Sequence, residues 1–133
     1  MVDTCVLVDV FEDDPSFGPR SAAALKRLLR QGLVICPISL VELSPMFSGD
    51  LAAQLDFLSL CGIDDSQNFE RTDWLEAHNA WNRLILAKRK RLAANRPIAD
   101  ILIGAFALRF QGLLTRNPDD FQRWFPQLKI RQP

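Results

Sequence analysis

Segments whose apolar residues recur at helical spacing alternate along this chain with short runs that are apolar throughout. Pro19, Ser21 and then Ala22 to Arg30, closed by Gly32, predict an amphipathic helix with start and stop signals. Leu33 to Cys36, halted by Pro37, predicts a buried strand. Ser39 opens a second helix, and Ser39-Leu40-Val41-Glu42 has the pattern of a capping box, with Glu42 in the first turn. Asp50 caps a third helix, Leu51 to Cys61, stopped by Gly62. From Thr72 to Ala93 a long helix carries Trp74, Ala77, Trp81, Leu84, Ile85 and Lys88 on its apolar spacing. Another runs from Ala99 to Phe110 and closes at Gly112. Leu113 to Thr115 is a brief strand, Pro118 to Trp124 a helical turn or two, and Leu128 to Ile130 a last strand. Thr4 to Val10 stays open: β propensity favours a strand, yet a helical turn after a very short strand ending at Asp3 also fits. The alternation predicts one α/β domain, residues 1–133, with a mostly parallel sheet.

Composition narrows the classes. At 133 residues, 48% hydrophobic and 24% charged, the chain is neither a disordered tail, a collagen-like repeat nor a disulfide scaffold. Sixteen Lys plus Arg balance sixteen Asp plus Glu, so nucleic-acid binding has to come from a local patch, not a global field. No apolar run reaches the roughly eighteen residues of a membrane span. Met1-Val2-Asp3-Thr4-Cys5 lacks a basic leader, so no signal peptide is expected and the expected compartment is the cytoplasm. Cys5, Cys36 and Cys61 form no CxxC pair and read as small buried hydrophobes in a reducing environment. Nothing marks His78, the single histidine, as a catalytic base.

The placement of the acids says more. Ligands of open α/β sheets bind beyond the carboxyl ends of the strands. Asp3, Glu42, Asp100 and the pair Asn117 and Asp120 all sit just past a predicted strand or at the start of the helix that follows. Each also has a structural explanation. Glu42 completes a capping box, Asn117-Pro118 with Asp120 forms an N-cap, Asp100 favours a helix dipole, and Asp3 lies near a terminus. The joint pattern favours function, because converging carboxylates repel by about 4 kcal/mol for two charges 4 Å apart at an effective dielectric of 20. That exceeds any capping benefit unless a proton or a cation intervenes. Oxygen ligands without His or Cys favour Mg²⁺ or Mn²⁺ over zinc, and such sites commonly serve phosphoryl transfer. A metal-dependent nuclease is the expected class.

Four pieces in order carry a resemblance. They are Val2-Asp3-Thr4-Cys5-Val6-Leu7-Val8-Asp9, Ile38-Ser39-Leu40-Val41-Glu42-Leu43, Pro97-Ile98-Ala99-Asp100-Ile101-Leu102-Ile103-Gly104-Ala105, and Gly112-Leu113-Leu114-Thr115-Arg116-Asn117-Pro118-Asp119-Asp120-Phe121. Together they span essentially the whole chain, which resembles PIN-domain ribonucleases of the VapC type, the toxins of bacterial toxin–antitoxin pairs. The resemblance implies a three-layer α/β/α fold with a four- to five-stranded, mostly parallel sheet, and an acidic site that binds Mg²⁺ or Mn²⁺ and cuts single-stranded RNA. It implies Asp3, Glu42 and Asp100 as core acids, completed by Asp120 or the Asn117 oxygen, with Thr4 and Thr115 as hydroxyls lining the site. It turns the ambiguous start into a strand ending at Asp3 and a helix over Thr4 to Phe11. A homodimer and a small antitoxin protein are the implied partners. Three departures stand out: Cys5 where Asn or Ser is common, Asn117 where Asp is common, and only two residues before Asp3.

The densest positive stretch is Arg83 to Arg96, with Lys88, Arg89, Lys90 and Arg91 between, either a phosphate-binding patch or a solvated helix end. Arg96 and Arg116, each near a proposed acid, are the stronger candidates for RNA contacts, although either can simply pair with a carboxylate. Trp74, Trp81 and Trp124 have the chemistry to stack on bases, but Trp74 and Trp81 at i, i+7 fit a core or dimer face better. Two other classes fit less well. A degenerate PIN domain that binds RNA or a partner without cutting would lack core acids. A flavodoxin-like phospho-receiver would need paired acids after its first strand and a late lysine, for which Asp9, Asp13-Asp14 and Lys129 are only stand-ins.

Overall fold

A computed structural model describes residues 1–88 and 97–133. Its elements are α1 (Thr4–Phe11), α2 (Gly18–Leu28), β1 (Leu33–Val34), α3 (Pro37–Leu43), α4 (Leu51–Leu60), β2 (Ile63–Asp64), α5 (Arg71–Lys88), α6 (Ile98–Ala107), β3 (Leu113–Leu114), α7 (Pro118–Gln122) and β4 (Ile130–Arg131). The open question at the start is settled for the helix: Asp3 has extended backbone and Thr4–Phe11 is helical.

The strand layer is thinner than expected. Instead of a continuous four- to five-stranded sheet, β1 pairs with β2 and β3 with β4, both parallel, as two separate two-stranded sheets. Val2 stands between them, with isolated parallel bridges to Ile35 and Leu114. The order across the layer is thus β2, β1, Val2, β3, β4. Val2 N donates to Val34 O, Asp3 N to Leu114 O and Leu114 N to Met1 O, each at 2.9 Å.

Pleating sorts the strand residues onto two faces. Val2, Leu33, Ile35 and Leu114 join one apolar cluster with α1, α2 and α4, while Met1, Val34, Cys36 and Leu113 join another with α5, α6 and α7. Helices therefore cover both faces of the strands. Ser21, Ala24, Leu25 and Leu28 give α2 its buried stripe, and Asp73, Ala77, Ala80 and Leu84 give α5 its own. The helix α6 is buried almost throughout from Ile101 to Ala107.

Several boundaries differ from expectation for local reasons. Pro37 takes the first position of α3, which starts two residues before Ser39 and leaves Cys36 as its cap. The capping box therefore does not form. Ser39 is fully buried with no hydrogen-bond partner for its hydroxyl among the described residues, and Glu42 lies in the second turn. Asp50 caps α4 as expected, accepting from Ala53 N at 3.1 Å. The last strand falls at Ile130–Arg131 rather than Leu128–Ile130 because Leu128 N turns back to Phe125 O at 2.9 Å. At Gly104 the backbone of α6 meets two rings: a Cβ there would stand 2.6 Å from Phe125 Cδ2 and 3.3 Å from Phe121 Cδ1. Gly104→Ala should therefore lose about 1–2 kcal/mol net, overpacking outweighing the gain in helix propensity. Urea unfolding that shows an unchanged or higher midpoint would contradict that contact.

Candidate active site: an acidic cluster beyond the strands

Extended backbone carries Asp3 off Val2 and into the N-cap position of α1, where its side chain is buried to 7% exposure and caps no helix nitrogen. It is held instead by neighbours that follow other strands or its own. Thr115 Oγ1 donates to Asp3 Oδ2 at 2.6 Å and the Cys5 thiol donates to the same oxygen at 3.1 Å. Thr115 is fully buried just past β3, and its hydroxyl also accepts from Asn117 N at 3.0 Å. Cys5 is thus a polar contact and not a simple buried hydrophobe. Burial first, then the charge of Asp3, pushes its thiol up to about 11, so it stays protonated as a donor. Its sulfur accepts in turn from Arg116 N at 3.4 Å. Cys36 is buried in the core as expected.

Glu42 is exposed on α3 and accepts from Thr4 Oγ1 at 2.5 Å, which ties α3 to α1. Asp100 sits half-buried in the first turn of α6. Burial raises its carboxyl to about 6, followed by the charges of Asp120, Asp3 and Glu42 in that order. Acids from three other segments therefore act on Asp100. Asn117 caps α7 by backbone position only; its side chain makes no cap bond and is exposed, like Asp120.

The acids form an open group. Among the described residues, no three His, Cys, Asp or Glu side chains stand close enough together to make a ready cage for an ion. Mutual repulsion keeps carboxylates apart when no cation screens them. The chemistry of the donors nevertheless fits a hard divalent ion. All are oxygens, Asp3 is already oriented by two donors, and Asp100 gains from any nearby positive charge.

Of the expected RNA contacts, Arg116 lies beside the site, with a half-buried side chain. Arg96, Arg89, Lys90 and Arg91 lie outside the described residues, as does the side chain of Lys88. Arg83 donates to Trp124 O at 2.9 Å, a packing contact. Trp74 is exposed and stacks on Phe69 with centroids 4.7 Å apart, while Trp81 packs against the core.

Sequence reasoning missed Asp9. It is 1% exposed inside α1, accepts from Ser21 Oγ at 2.6 Å, and faces Arg116 Nε at 3.2 Å. The Nε–H is out of line for a hydrogen bond, so charge holds the pair. An acid between Val8 and Val10 is costly to bury without a cation, and that was the available signal.

No protein-family model matches the sequence, and no curated protein matches it. Among solved structures, the chain is similar to one in the crystal structure of VapBC2 from Rickettsia felis bound to a DNA fragment from their promoter. The TM-score is 0.71 at 21% identity, covering 99% of this chain and 96% of that one. At that identity the likeness is one of fold.

Proposed function

We propose that this protein is a metal-dependent endoribonuclease of the PIN type, acting as the toxin of a toxin–antitoxin pair on single-stranded RNA. The observation that carries the reading is the raised Asp100 carboxyl, on which Asp120, Asp3 and Glu42 all act from separate segments. Asp3, Glu42, Asp100 and Asp120, with Asn117 as a further oxygen, are the residues to hold one or two Mg²⁺ or Mn²⁺ ions. When bound, such an ion supplies activation of water and stabilisation of charge on the phosphate. Thr115 and Cys5 orient the Asp3 carboxylate, and Thr4 orients Glu42. Thr4, Arg116 and Arg96 are the proposed RNA-contacting residues; Thr115, expected among them, is fully buried with its hydroxyl on Asp3 and orients the site without reaching RNA.

The fold of the VapBC2 structure, whose components come as a complex, supports an antitoxin partner. So do Val41 and Ile98, next to Glu42 and Asp100, which are 69% and 57% exposed and offer apolar surface beside the acids. A homodimer and a cytoplasmic location, with residues 1–133 as one PIN domain, complete the reading. No described helix is long and apolar enough to cross a membrane.

The test is cleavage of end-labelled total RNA with Mn²⁺, Mg²⁺ or EDTA. Discrete metal-dependent cuts leaving a 5′-phosphate and a 3′-hydroxyl are expected; silence in every condition would remove the nuclease reading. Thr115→Val should raise the Mn²⁺ concentration for half-maximal cleavage about tenfold, by releasing Asp3 from its strongest donor. An unchanged metal titration would show that Thr115 does not orient the site. The openness of the acid group favours one second reading, a PIN domain that binds RNA or a partner without cleavage. RNA binding without cuts in any metal would select it.

A further inference from the structure

A buried carboxylate has to be offset, and the partners of Asp9 lead back to Asp3. Asp9 is 1% exposed, and Ser21 Oγ, itself fully buried on α2, donates to its Oδ2 at 2.6 Å. The same oxygen stands 3.2 Å from Arg116 Nε. The Phe17 ring also meets the guanidinium, its centroid 4.3 Å from the central carbon. Phe17 is fixed in turn, because its backbone N donates to Asp14 Oδ1 at 2.8 Å. The arginine is clamped between a buried charge and an aromatic face.

Arg116 is gripped a second time through its backbone. Its N donates to Cys5 Sγ at 3.4 Å, and the Cys5 thiol donates to Asp3 Oδ2 at 3.1 Å. Cys5 and Asp9 are four residues apart in α1, so they lie on one face of that helix, a rise of about 6 Å from each other. The backbone of Arg116 therefore rests on this face at Cys5, and its side chain runs along the helix to Asp9.

The clamp governs the residues on either side of Arg116. Thr115, just before it, gives Asp3 its 2.6 Å hydroxyl bond, and Asn117, just after it, donates its N to that same hydroxyl at 3.0 Å. Both donors to the Asp3 carboxylate, Thr115 directly and Cys5 by way of the Arg116 amide, thus depend on where Arg116 sits. Stability alone does not call for a charge pair here, because apolar residues of similar volume commonly serve as well as a buried ion pair. The Arg116 Nε–H adds no hydrogen bond to it. What the pair supplies is a fixed place for one residue. We propose that Asp9 is a positioning residue: through Arg116 it holds the segment from Thr115 to Asn117 on α1, and so sets the direction of the Asp3 carboxylate. The use made of Asp3 rests on the ribonuclease reading, whereas the tie itself is read without RNA or metal.

The test compares the full chain with Asp9→Asn, whose side-chain oxygen still accepts from Ser21 but offers no charge to Arg116. Amide hydrogen exchange in EDTA, followed by NMR, reads the tie. The Arg116 and Asn117 amides should exchange about tenfold faster in the variant, while the Ile35 amide, bonded to Asp64 O, keeps its wild-type rate. Calorimetric titration with Mn²⁺ reads the consequence. The dissociation constant should rise about fivefold, less than for Thr115→Val because the effect passes through one more residue. Phe17→Leu, which loosens the clamp without touching Asp9, should move both readouts the same way by a smaller factor. Asp73→Ala, which removes a buried carboxylate at the start of α5, should leave the Mn²⁺ constant unchanged and so separates position from stability. Unchanged amides in Asp9→Asn, an unchanged constant despite faster amides, or an equal rise in Asp73→Ala would each overturn the positioning role. Faster amides in the variant of a protein that binds no Mn²⁺ would keep the tie from Asp9 to Asp3 and discard the metal reading. Metal-dependent cleavage, with amides and constant both unchanged in Asp9→Asn, would do the reverse.

Discussion

Asp100→Asn is expected to lower RNA cleavage about a hundredfold or more and yet to melt at a higher temperature than wild type at neutral pH without metal. Both effects follow from one carboxyl. Burial and three acidic neighbours raise it from 3.8 to about 6, so the folded protein holds this proton more tightly than the unfolded chain does. Stability from Asp100 is then greatest below about pH 4, falls as pH rises through the window from 4 to 6, and stays lost above it. Asparagine never acquires the charge. Allowing for solvent screening of a half-buried group, the variant should gain about 1 kcal/mol at pH 7 and nothing at pH 4. Thermal melts at the two pH values, beside the cleavage assay, check the pair of outcomes. Full activity would remove Asp100 from the site, and a Tm gap that does not grow between pH 4 and 7 would show that its charge is not strained.

The second large effect lies away from the acids. Asp73 is 1% exposed at the start of α5 and serves two partners: Oδ2 accepts from Glu70 N at 2.8 Å, and Oδ1 accepts from Arg109 Nε at 3.0 Å. Arg109 also reaches Glu70 Oε1 at 2.6 Å and Asn68 O at 2.7 Å, and lies over the Phe106 ring. The network fastens the start of α5 to the residues that follow α6, the two helices in most extensive contact. Asp73→Ala removes one partner of a buried pair and should cost about 3 kcal/mol, or roughly 10 °C in Tm. Because Arg109 keeps Glu70, the double variant Asp73→Ala/Arg109→Ala should lose less than the sum of the single losses. Additive losses would mean that the pair carries no coupling.

What the sequence showed plainly was order, and what it hid was pairing between distant residues. The helices stood out because their signals are local: Gly32 and Gly62 after their last turns, Asp50 before one, and regular apolar spacing in α2 and α5. The acids stand out in the sequence because each lies just past a predicted strand or at the start of a helix. Pro37 ends a strand and also starts the next helix, and that double role displaces the capping box at Ser39. The strand layer was overestimated because residues paired for two positions look no different, in sequence, from those paired for five. Asp9 was passed over because its partners, Ser21 and Arg116, lie 12 and 107 positions away, and no periodicity relates them. The same is true of Cys5, whose polar role exists only because Thr115 and Arg116 are folded onto it.

The bridge at Val2 has a consequence for timing. The backbone oxygen and the hydroxyl that seat Asp3 belong to Leu114 and Thr115, the latter 112 residues later. Contacts across such a separation form late and slowly, after the local helices. Asp3 is seated only after the intervening helices have formed. On the proposed activity, the cutting centre is therefore completed late in folding, and a partly folded chain does not cut.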